Sequence, residues 1–133
     1  MVMYSYLFFL SFIQPLLEYI FHRKVHINQK YDLFQIHKTH HIDIHQKKYD
    51  HSWWNNLNYV VCLAPLCFLS YGEYAWLGIM KYQLGHYMLH RYPYIYPELT
   101  KFHMVHHQNP KVNYTVTAMW PDKVFGTYSK KLN

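Results

Sequence analysis

His86-Tyr-Met-Leu-His90, then twelve residues, then His103-Met-Val-His106-His107: this stretch decides what the chain can fold around. The same order stands earlier as His22-Arg-Lys-Val-His26, ten residues, then His37-Lys-Thr-His40-His41. On a helix, residues three and four apart share a face, with Cβ atoms about 5–6 Å apart. Two imidazoles so placed can converge on one metal ion at a bond length of about 2.0–2.1 Å. Ten of the twelve histidines belong to these four clusters, more than one ion can accept, so the count points to two ions. No acidic pair or cysteine set competes for them. His45 and His51 stand outside the pattern and read as solvent-exposed side chains.

Around the clusters the chain is apolar. Charged residues make up only 15 % of its 133 residues, against roughly 25 % in ordinary soluble proteins. Three apolar runs are visible, at about residues 1–21, 57–71 and 74–90, the last with Lys81 inside it and Gly72-Glu73 as the turn before it. A helix of about 18 residues reaches about 27 Å, close to the thickness of a bilayer core. The reading is an all-α protein with about three membrane spans and a histidine-rich helical cap. The competing reading of the runs is buried core helices. Pro15 and Pro65 predict kinks in their helices, and Trp53 and Trp54 an interfacial belt. The N-terminus lacks a basic region and a small-residue cleavage site, so it reads as a retained anchor. Cys62 and Cys67 form no metal spacing and read as free thiols.

All Lys and Arg except Lys81 lie in two polar segments, about 22–52 and 91–133. One span followed by a hairpin places both segments on one side, and the positive-inside rule makes that side the cytoplasm. The net charge of +6 is scattered with no recognition motif, which excludes nucleic acid and fits an anionic leaflet.

The motifs resemble those of the fatty acid hydroxylase / sterol desaturase superfamily of membrane-bound, O2-dependent enzymes, over about residues 16–127. Leu17-Glu18-Tyr19-Ile-Phe-His22-Arg23 is similar to the family's helix end leading into its first cluster. The segments 86–90 and 101–107 are similar to later clusters. Asn113-Tyr114, followed by Asp122-Lys-Val-Phe125-Gly126-Thr127, resembles its C-terminal signature. The resemblance implies a single domain over residues 1–133, short at its N-terminus by the helix that family members carry before the first run. It implies two iron ions on His22, His26, His37, His40, His41, His86, His90, His103, His106 and His107. It also implies a fatty acyl or sterol substrate, O2, an electron donor such as a cytochrome b5-type protein, and an endoplasmic reticulum or equivalent membrane.

The spacing alone does not choose the metal, because imidazole suits iron, zinc and copper alike, and zinc can occupy the site in purified protein. Glu18, four residues before His22, is expected to accept the second ring N–H of that ligand, or else to be a carboxylate near Arg23. Asp122 reads as a turn or capping residue, and Tyr87, Tyr92, Tyr94 and Tyr96 as an interfacial belt. Two other functions fit the clusters. One is a catalytically silent metal-binding membrane protein, the other a non-redox metal carrier or sensor.

Overall fold

The computed structural model describes residues 2–32, 35–45 and 72–131, and the described residues are all-helical, without a strand. The apolar run 57–71, with its cysteines, and Trp53, Trp54 and His51 lie outside them. Six helices carry the fold: α1 (Val2–Phe8), α2 (Gln14–Ile27), α3 (Ile36–His45), α4 (Gly72–Arg91), α5 (Pro97–Gln108) and α6 (Trp120–Val124).

A π-helical turn, Phe9–Ile13, joins α1 to α2 without a break in the helical backbone. Its cause is Pro15, where the sequence predicts a kink. In the wider register Gln14 N–H donates to Phe9 O, so Leu10 O would fall to residue 15, which has no N–H. Lys81 of α4 supplies the missing donor, its Nζ lying 2.5 Å from Leu10 O and 2.9 Å from Gln14 Oε1. Trp120 Nε1 donates to the neighbouring Ser11 O at 3.2 Å. The lysine inside the apolar run thus ties α4 to the kink. Gly78 lets the two helices come that close, since a Cβ there would lie 3.1 Å from Gln14 Cγ and 3.4 Å from the Phe9 ring.

Helix α2 is turned inside out relative to a soluble helix. Its inner face is Gln14, Pro15, Glu18, Tyr19 and His22, recurring at helical spacing, and all are buried. Its outer face is apolar, with Leu17, Ile20 and Phe21 exposed, Phe21 at 63 %. The exposed apolar surface continues through Met3, Leu7, Phe8 and Phe12, and on α4 through Trp76, Leu77, Met80 and Leu84. The spans expected from the sequence are not carried by any one described helix, because none is long and apolar enough to cross a membrane. Glu18 interrupts the first run, which is divided among α1, the π-helical turn and α2, and Lys81, His86 and His90 interrupt the third. Gly72 and Glu73, expected in a turn, form the start of α4.

Candidate metal centre

Each histidine is aimed by its own helix. His22 and His26 lie one turn apart at the end of α2, and His86 and His90 one turn apart at the end of α4. Helix α3 brings His37, His40 and His41, its N-terminus held by Asp32, whose two carboxylate oxygens accept His37 N–H and Lys38 N–H at 2.9 Å each. That is a cap for the otherwise unpaired first-turn amides. Helix α5 starts on Pro97, whose fixed φ suits a first helical position, and brings His103, His106 and His107, all buried. His45 is the last residue of α3.

The ten clustered histidines form two groups of five. His22, His26, His37, His41 and His106 make one, and His40, His86, His90, His103 and His107 the other; in each, the nitrogens lie within 4.8 Å of one another. The H-x-x-x-H pair of each half is joined by the first and last histidines of its own H-x-x-H-H cluster. The middle histidine crosses over, His40 to the second group and His106 to the first. The groups abut, with the His41 and His107 rings 4.5 Å apart between centroids and the His106 and His107 rings 6.0 Å apart.

In the first group, Nε2 of His26 lies 3.2 Å from that of His22, 3.0 Å from that of His106 and 2.7 Å from that of His37. Nε2 of His22 and His37 are 2.9 Å apart. The second group is as tight, His90 lying 3.2, 3.0 and 3.2 Å from His86, His103 and His107. Two of these rings have their tautomer set from outside the groups. His22 Nδ1 meets Tyr114 O, and His106 Nδ1 meets Val112 O at 2.7 Å. A carbonyl only accepts, so each Nδ1 carries the proton and each neutral ring turns a bare Nε2 lone pair inward. Burial holds the rings neutral: it lowers His26 from the ordinary 6.5 to about 4 and His106 to about 3, and pushes His37, His103 and His107 well down too, helped by the neighbouring imidazoles. Near His26 the Asp32 carboxylate opposes the shift. Converging lone pairs in a buried pocket repel unless a cation lies among them. Five imidazole nitrogens per group fit a divalent transition metal, iron and zinc included.

The pattern that the family resemblance implied also runs through the rest of the chain. The fatty acid hydroxylase family profile matches residues 7–127. The chain belongs to the fatty acid hydroxylase family. Neither the curated proteins nor the solved structures gave a match.

In this fatty acid hydroxylase family member, Glu18 does not take the place expected for it beside His22. Its carboxylate accepts Val116 N–H, Thr117 N–H at 3.1 Å, the Thr117 hydroxyl at 2.7 Å and Gln14 Nε2 at 2.9 Å. The reason is competition: the amides of residues 116 and 117 run beside it, and the Tyr114 carbonyl already occupies His22 Nδ1. Sequence reasoning also missed Asp32 and the carbonyls of Val112 and Tyr114, the latter two because a backbone carbonyl has no sequence signature. For Asp32 a signal existed, an acidic residue just before the periodic helix that starts at Ile36. Asp122, read as a turn or capping residue, lies in the first turn of α6, 0 % exposed, and accepts four hydrogen bonds. Tyr87, Tyr94 and Tyr96 are exposed beside the centre.

Proposed function

We propose that the chain is a membrane-embedded oxidoreductase that hydroxylates or desaturates a fatty acyl or sterol lipid with O2. The observation that carries this reading is the pair of abutting five-imidazole groups in a chain of this family. Two iron ions, when bound, supply the power to activate O2 against an unactivated C–H bond. The protein's own part is to hold ten neutral nitrogens at fixed positions on α2, α3, α4 and α5. No side chain of the centre is a nucleophile or general base in this reading.

The membrane setting is supported by the outward apolar faces of α1, α2 and α4 and their inward polar residues. In a bilayer such an arrangement is favourable, since lipid solvates the outer face while the buried polar groups pair with one another. The clusters sit at the ends of α2 and α4, next to the basic segments, which we place at the cytoplasmic face of an endoplasmic reticulum or equivalent membrane. The chain then acts as one domain. By family resemblance, electrons are assigned to a donor of the cytochrome b5 type.

The test is lipid mass spectrometry of cells expressing the chain beside a His106→Ala control. A hydroxylated or newly unsaturated lipid present only with the unaltered chain is the expected result. Identical lipid profiles would mean that the chain is a metal-binding protein without this activity.

A further inference from the structure

The loop 112–117 lies across the first histidine group, and its backbone is held from two sides. Asp122 Oδ1 accepts Tyr114 N–H at 2.8 Å and the Thr127 hydroxyl at 2.6 Å; Oδ2 accepts Thr115 N–H at 2.9 Å and the Thr115 hydroxyl at 2.6 Å. Glu18 takes the next two amides, of Val116 and Thr117. Asn113, at φ 54°, is pinned by its side chain to Phe102 O at 2.9 Å and Ser129 O at 2.8 Å.

One peptide unit in this loop faces both ways. The Tyr114 carbonyl and the Thr115 N–H belong to the same planar trans peptide, so they point in opposite directions. The N–H end donates to Asp122, and the carbonyl end accepts from His22 Nδ1. A buried carboxylate at one end polarises the peptide and strengthens its carbonyl as an acceptor. That favours the Nδ1–H tautomer of His22 and raises the basicity of its inward Nε2. In the second group, by contrast, Nδ1 of His103 and of His107 is buried with no hydrogen-bond partner among the described residues.

We infer that Asp122 is a positioning residue that acts through the Tyr114–Thr115 peptide on His22 and makes the His22 group the tighter of the two metal sites. This rests on the metal-binding reading above. It predicts two unequal sites in a centre whose ligand sets are alike in number and kind.

The experiment uses the full chain in detergent, loaded with Zn2+ and mixed with excess chromogenic chelator. Zinc release is expected in two phases. His103→Ala, which removes a ligand of the second group, should abolish the fast phase and so identify it. Asp122→Asn replaces one acceptor oxygen with an NH2 and removes the charge. It should accelerate the slow phase about 10-fold or more, the scale on which outer partners of metal ligands act, and leave the fast phase unchanged. Equal acceleration of both phases, or no change in the slow one, overturns the proposal. If Asp122→Asn does not fold, Thr127→Val decides: relieving Oδ1 of a competing donor leaves more charge for the Tyr114 and Thr115 amides and should slow the slow phase alone, and any other pattern overturns the proposal. A wild-type chain that takes up no zinc overturns the metal-binding reading itself, an outcome distinct from a chain that releases two ions at rates insensitive to Asp122.

Discussion

His40 and His106 each leave the group built by their own half of the chain and complete the other. Removing either leaves four imidazoles in one group and five in the next. Under the proposed function, His40→Ala and His106→Ala should therefore lower product formation to a similar degree, although they stand 66 positions apart. Elemental analysis should show metal content near two ions per chain in the wild type and falling toward one in each variant. A His40→Ala chain that keeps both its metal and its product would remove this residue from the centre. The depressed titration of His26 and His106 has a consequence for the metal-free chain. Unfolded, both imidazoles take up protons near 6.5; folded, they do so only near 4 and 3. Between those values the unfolded state binds more protons, so stability falls as the pH drops below about 6.5 and is undiminished above it. Thermal melts of chelator-treated protein from pH 8 to 5 should show a flat Tm down to about 7 and a decline below. A Tm that rises on acidification would contradict the burial of these rings.

At the scale of elements, the helix pair α2/α4 depends on Gly78 and Lys81. A valine at 78 would press its branched Cβ against Gln14 and Phe9, where a single added carbon already lies at 3.1 Å. Gly78→Val should cost about 1–3 kcal/mol, the usual range for overpacking, read as a lower midpoint of unfolding. A variant as stable as wild type would show that the two helices can separate without loss. The four histidine clusters were legible in the sequence, because ligand spacing survives in one dimension. Their division into groups also left a trace. At about 100° per residue, His37 and His41 lie about 40° apart while His40 falls on the far side of His37, so one cluster faces two ways. The role of Glu18 was not legible in the same manner. Its partners, the amides of residues 116 and 117, are set by a loop nearly a hundred positions downstream, whose path no local periodicity encodes. Nor did the pattern around Pro15 foretell that Lys81 would meet the carbonyl that the proline strands.

For the whole molecule, the outward apolar and inward polar faces predict that the chain stays in the membrane pellet after carbonate extraction. Monomeric folded protein recovered from a detergent-free soluble fraction would contradict that. The crossing of His40 and His106 also bears on how the protein comes into being. The first group is not whole until residue 106 has been synthesised, and the second not until residue 107, since each lacks its fifth nitrogen until then. Under the proposed function, metal loading is thereby deferred until position 107 has been made. A nascent chain arrested before position 106 is then expected to hold metal only weakly, whereas a chain extended past position 107 can close both groups together. His106 and His107 thus set the moment at which the polypeptide can first hold both ions of the proposed centre.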